Sequence, residues 1–239
     1  MQPESGKSGI DIFCVFPEAV RAMLEVGVVG RAVERGAVGL RCFDLRDYAP
    51  DGRIDDMPYG GGAGMVVRVD VVARALGETY GVPARKVREE REVLVTEPGG
   101  RTFDQDHARE LAAGISGGRG LTMICGRYGG LDERVRTELA SGAVSVGDFV
   151  LSGGEIAAAA MSDAVIRLLD GVLGNSESLV GESFSEAEPG LLGPPQYTRP
   201  AEWDGEGVPA VLLSGNHAEI RRWREREARE RSEERSGTS

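Results

Sequence analysis

The chain has 239 residues, with 28 Lys and Arg against 39 Asp and Glu and a formal net charge of −11. That length suits one domain, or one domain with a small appendage, and buries a sizeable core without disulfide or metal staples. The composition excludes a disordered chain, a membrane span of about 18 apolar residues, and a protein that holds nucleic acid through bulk positive charge, leaving only a local basic site for that task.

Residues 9–16 read as a buried strand ended by Pro17, followed by a helix to about Gly30 and a second strand over Val38–Phe43. Residues 45–64 form a long Asp-, Gly-, Pro- and Arg-rich segment without a period, and such a segment inside a compact domain is usually functional or disordered. A helix is predicted over Val69–Tyr80, and Lys86–Arg91 reads as a charged, solvated connection. Strands and helices then alternate: Glu92–Thr96, Asp104–Gly114, Leu121–Cys125, Asp132–Leu139, a strand-like Val144–Val150 and the helix Glu155–Leu169. This order predicts an α/β fold with a largely parallel sheet. Gly174–Pro209 is a second irregular stretch, Val208–Leu213 a last strand, and His217 to about Glu234 a last helix. Opposite charges three and four residues apart make that helix a solvated, self-paired one, with Trp223 as its packing anchor.

Cys14, Cys42 and Cys125 are widely spaced, no CxxC pair occurs, and the chain holds only His107 and His217. A structural zinc site is therefore not expected, and free thiols in a reducing, cytoplasmic setting are. The opening residues lack the charged and apolar regions of a secretory leader.

Three glycine-rich turns each follow a predicted strand: Glu97–Arg101, Cys125–Gly130, and the segment from Ser145 to Glu155. Loops at the carboxyl ends of parallel strands form the ligand crevice of such folds, and glycine lets main-chain groups approach a ligand closely. Together they point to a cofactor held mostly by main chain. Neither GxGxxG nor GxxxxGK[ST] occurs, which argues against a standard dinucleotide or P-loop site.

The strings DDMPYGGGAGM (Asp55–Met65), CGRYGGLDERV (Cys125–Val135), VGDFVLSGGE (Val146–Glu155), YTRP (Tyr197–Pro200) and LLSGNHAEIRRWR (Leu212–Arg224) resemble, in order and spacing, the bacterial tRNA (guanine-N1)-methyltransferases of the knotted SPOUT superfamily. The resemblance implies an α/β domain over 1–171 with a deep trefoil knot, a mostly parallel sheet and helices on both faces. It further implies an interdomain linker over 172–188 and a small, shortened helical domain over 189–239 that grips tRNA.

It also implies a homodimer with composite active sites and S-adenosylmethionine as methyl donor. The cofactor-binding positions would be Pro98, Gly100, Gly126, Arg127, Tyr128, Gly130, Val146, Gly147, Leu151, Gly153 and Gly154. The substrate would be the guanine immediately 3′ of the anticodon (tRNA position 37). Transfer to N1 needs a base for its proton and a cation for the charge that develops on O6. By resemblance these are Glu182 and Arg167, with Asp55, Tyr59 and Arg199 as substrate-binding residues. The family's use of magnesium maps onto no ligand cluster here.

Four positions depart from the family: Glu182 stands for an aspartate, Gly129 for a glutamate, Ala157 for a proline, and the chain stops at Ser239 before a further helical segment. These departures keep an alternative in view, a diverged relative that methylates another RNA or a small guanine-like heterocycle.

Overall fold

The computed structural model describes residues 8–173, 181–185 and 190–237. The chain divides into two compact units, Met1–Leu173 and Gly174–Ser239.

The first unit is built on five strands, β1 (Gly9–Cys14), β2 (Gly39–Asp44), β5 (Glu92–Thr102), β6 (Leu121–Cys125) and β7 (Gly142–Ser145), in the order β2-β1-β6-β5-β7 with every pair parallel. β1 is buried along its whole length, as a parallel strand covered on both faces must be. Side chains alternate across the sheet. Ile10, Ile12, Leu121 and Met123 join a core with α1 (Pro17–Leu24), α2 (Gly27–Glu34), α5 (Gln105–Ser116) and α6 (Glu155–Ile166). Phe13, Val93, Val95 and Ile124 join a second core with α3 (Val69–Tyr80), α4 (Val87–Glu90) and a π-helical turn at Val135–Leu139. A short hairpin, β3 (Asp55–Asp56) with β4 (Val66–Val67), interrupts the segment expected to be irregular.

Several elements lie where the pattern predicted them. α3 coincides with its prediction and stops at Gly81, whose φ of 69° is the left-handed cap that glycine adopts freely. α5 is capped by Asp104, whose carboxylate accepts the His107 N–H at 2.8 Å. Other elements differ. The single helix expected to Gly30 is two, broken where Gly27 takes φ 65°. The strand expected at Val144–Val150 ends at Ser145, and 146–150 turn away as a loop.

The largest correction is at Lys86–Arg91. Val87 starts a short helix with its side chain buried, and Arg91 is only 6% exposed. Parallel register is the cause, since it sets Asp11 of β1 beside Arg41 of β2 and Thr122 of β6. Arg41 grips Asp11 with two bonds of 2.7 and 2.8 Å, and the Arg91 guanidinium stands 2.9 Å from the same carboxylate. The Arg91 Nε donates to Thr122 Oγ1 at 2.9 Å, while the Tyr80 hydroxyl donates to Asp11 at 2.8 Å and lies 2.7 Å from Thr122 Oγ1. A buried carboxylate is tolerated only when its charge and lone pairs are satisfied this fully. Tyr80→Phe removes one shared hydroxyl and should lower the unfolding free energy by about 1–3 kcal/mol in urea titration; a loss under about 0.5 kcal/mol would show that the hydroxyl carries no weight.

All three cysteines are buried and unpaired. Burial pushes the Cys14 thiol up to about 12, Cys42 up to about 11, and Cys125 well above its ordinary value. The thiolate is the reactive form, so iodoacetamide at pH 8 should leave the folded chain unmodified and label all three sites once urea unfolds it. Labelling of the folded chain at the unfolded rate would contradict this.

In the second unit β8 (Glu202–Trp203) and β9 (Glu206–Gly207) form a hairpin. Val208–Leu213, expected as a strand, instead carries the one-turn helix α7 (Ala210–Leu213) behind Pro209. A short apolar run does not distinguish the two by its period. α8 (His217–Ser236) is capped by Asn216, which accepts from Ala218 N–H and Glu219 N–H at 3.2 and 3.3 Å. Trp223 is its buried anchor, 6.2 Å from the Tyr197 ring, while most of its charged face is exposed. Among the described residues no helix is long and apolar enough to cross a membrane.

Candidate active site

The carboxyl ends of the adjacent strands β6, β5 and β7 open into a cleft of about 260 Å³. Pro98, Gly126, Arg127, Tyr128, Gly130, Val146, Gly147, Leu151, Gly153 and Gly154 all line it. Gly100 does not. It sits in the bulge where β5 slips register against β7, and a Cβ there would meet the Val144 nitrogen at 2.3 Å. Its glycine serves the strand–strand approach behind the cleft. Thr96, Glu97, Leu131, Val144, Phe149 and Ala157 also line the cleft, though the sequence reading did not single them out as binding residues. Thr96, Glu97 and Val144 lie on β5 and β7, Leu131 and Phe149 on the loops after β6 and β7, and Ala157 in the first turn of α6, so their signal was position beside the glycine turns.

Backbone contacts hold the loops together. Gly154 N–H donates to Gly126 O at 2.9 Å, and Arg127 bridges Gly153 in antiparallel fashion. A Cβ on Gly154 would meet Thr96 Oγ1 at 2.0 Å and Cys125 Cα at 2.9 Å, so only glycine admits this approach.

The Arg127 guanidinium is turned to protein partners. Its Nε stands 3.1 Å from both oxygens of Glu155, Nη1 donates to Ser152 O at 3.2 Å, and the group lies 4.5 Å over the Phe16 ring. Glu155 is 3% exposed and also faces the Val15 N–H at 3.4 Å. This pair braces the loops after β6 and β7 against the end of β1, a role for Glu155 that its place in a glycine motif did not reveal.

The hairpin carrying Asp55 and Tyr59 is tied to the same loop. Val67 N–H donates to Gly130 O at 3.0 Å, Asp132 N–H to Val67 O at 3.0 Å, and Gly129 N–H to Met65 O at 2.7 Å. A Cβ on Gly129 would lie 2.8 Å from Met65 O, so this departure from the family pattern is filled by close backbone contact. Asp55 is partly buried opposite Val67, and Tyr59 at the hairpin tip is 99% exposed; neither lines the cleft.

Arg167 is the C-cap of α6, half-buried. α6 begins at the cleft, and Arg167 caps it 13 residues beyond Gly154, so at 1.5 Å per residue it lies about 20 Å along the axis from Gly154. Glu182 and Arg199 belong to the second unit. Glu182 is half-buried in 181–185, and most of the expected linker lies outside the described residues. Arg199 is exposed and, with Tyr197, Ile220 and Arg224, lines a separate groove of about 410 Å³ within that unit.

A parallel α/β sheet with a glycine-lined cleft at its carboxyl ends is an open-sheet α/β protein with its crevice where that class binds ligands. The chain matches the family described as tRNA (Guanine-1)-methyltransferase TrmD over residues 9–237. It is 48% identical over 222 residues to the tRNA (guanine-N(1)-)-methyltransferase of Geobacter sulfurreducens, covering 92% of this chain and 86% of that one. The like-named protein of Koribacter versatilis is 47% identical over 238 residues (93% and 88%), and that of Porphyromonas gingivalis 44% over 225 (93% and 95%). The chain belongs to this family of enzymes, the tRNA (guanine-N1)-methyltransferases.

Proposed function

We propose that the chain methylates N1 of the guanine immediately 3′ of the tRNA anticodon, working as a homodimer with S-adenosylmethionine in the cleft. The observation that carries the reading is that cleft, lined by residues of all three glycine turns, two of which lie in strings that match the family. Its walls suit the group. Val95, Leu131, Val144 and Leu151 offer an apolar slot for a flat adenine, and the glycine loops bring main-chain donors and acceptors to its rim. The residues that would hold the cofactor are those lining the cleft, from Pro98 to Gly154. When bound, it supplies an electrophilic methyl on a positively charged sulfur.

The chain's own residues do the rest. Glu182 takes the N1 proton of guanine. Arg167 donates to O6 as negative charge gathers there. Asp55 and Tyr59 hold the base from the hairpin tied to the Gly126–Leu131 loop, and Arg199 meets the RNA backbone. The distance along α6 between Gly154 and Arg167 supports a composite site, in which the cleft of one copy is completed by Arg167 and Glu182 of a second. The trefoil knot belongs to the same reading, with the loops after β5, β6 and β7 as its cofactor loops. Magnesium is assigned no residue: among the described residues no group of three or more His, Cys, Asp or Glu stands together to hold an ion.

The test is methyl transfer from labelled S-adenosylmethionine to tRNA transcripts that carry guanine or adenine just 3′ of the anticodon. Label is expected only with guanine. Equal labelling of both transcripts would refute the proposal and favour a different RNA position or substrate.

A further inference from the structure

Glu97 is the one carboxylate among the described residues that line the cleft. It sits where β5 leaves register after Thr96, with its side chain 33% exposed. Its charge is poorly matched. The Arg136 guanidinium is 3.9 Å away and is shared with Glu133, to whose carboxylate Arg136 Nε donates at 3.0 Å. Among the described residues no hydrogen bond reaches the Glu97 carboxylate. The cleft's other charged residue, Arg127, is already taken by Glu155. Burial raises the Glu97 carboxyl above its ordinary value, with Arg136 opposing and Glu133 adding to the rise. A partly desolvated carboxylate on a residue of the cleft wall stabilises a cation placed in the cleft, because Coulomb attraction is stronger where water is partly excluded.

We propose that Glu97 makes the cleft charge-selective, favouring the sulfonium of S-adenosylmethionine over the neutral thioether of S-adenosylhomocysteine. The inference rests on the cofactor reading above and adds a discriminating residue to it. Donor and product differ by one methyl and one positive charge at sulfur, so a carboxylate within the cleft acts on that difference. It would help release product after each transfer. A contact to the ribose hydroxyls or the amino-acid ammonium, which both molecules share, would act on both alike.

The experiment is calorimetric titration of the full-length chain, parent and Glu97→Gln, with each molecule in turn. Loss of this charge should raise the Kd for S-adenosylmethionine on the order of tenfold. The Kd for S-adenosylhomocysteine should rise less than about threefold, since it lacks the sulfur charge on which Coulomb attraction acts. Glu97→Asp keeps the charge and should keep the preference, which guards against a Glu97→Gln chain that fails to fold. If the parent binds both molecules and Glu97→Gln weakens both alike, or neither, the assignment of Glu97 is overturned and the cofactor reading stands. If the parent binds neither, the cofactor reading falls and takes this inference with it.

Discussion

A Glu182→Gln chain is expected to methylate tRNA about 10²–10⁴-fold more slowly than the parent, the range lost when a positioned general base is removed. Guanine N1 bears a proton and is a poor nucleophile until that proton leaves. Glutamine has the shape of glutamate but cannot accept it. The Kd for S-adenosylmethionine should stay within about twofold, because the base acts on the RNA and only kcat depends on it. Glu182→Asp restores the residue usual in the family. It shortens the side chain by one methylene, and a shift of about 1 Å can cost about 10²-fold if the surrounding segment is tuned to glutamate. A Glu182→Gln chain with parental kcat would remove Glu182 from the chemistry.

Arg167→Ala should lower kcat by roughly 10²–10³-fold, the usual cost of losing one donor to a developing oxyanion. Withdrawing the N1 proton moves negative charge toward O6, and a guanidinium meets it with a fixed, always-charged fork. Arg167→Lys keeps the charge but not the planar fork, so it should recover part of the rate. Arg167 also caps α6, and a cation at a helix C-terminus adds about 0.3–1 kcal/mol. That is too little to explain the expected loss in rate through unfolding. The distinguishing readout is again the split between rate and binding: a fall in kcat with cofactor affinity kept supports the role, whereas a matching fall in both points to a structural one.

The sheet was legible because its strands centre on short, mostly apolar runs, as in β6, which a glycine turn follows, and because α3 combines an apolar stripe with Gly81 at its end. Arg91 was not legible. Its burial depends on Asp11, 80 residues earlier, and only the register of two parallel pairs brings them together. Val208–Leu213 was misread because a short apolar run has no period long enough to separate strand from helix.

At the site, glycine spacing pointed to the cleft-lining loops but not to the side chains that brace them. Arg127 was expected at the cofactor, and its guanidinium is held by Glu155. Gly129 stands where the family has a glutamate, and backbone from Met65 closes on it. Both outcomes turn on which segments approach each other, information that spacing along one chain does not carry.

The identity and place of the methylated nucleoside test the proposed activity most directly. Nuclease mapping with mass spectrometry, applied to a tRNA transcript after incubation with the chain and S-adenosylmethionine, reads both at once. The expected product is 1-methylguanosine immediately 3′ of the anticodon and at no other position. A methyl group on another atom of guanine, or at another nucleotide, would contradict it.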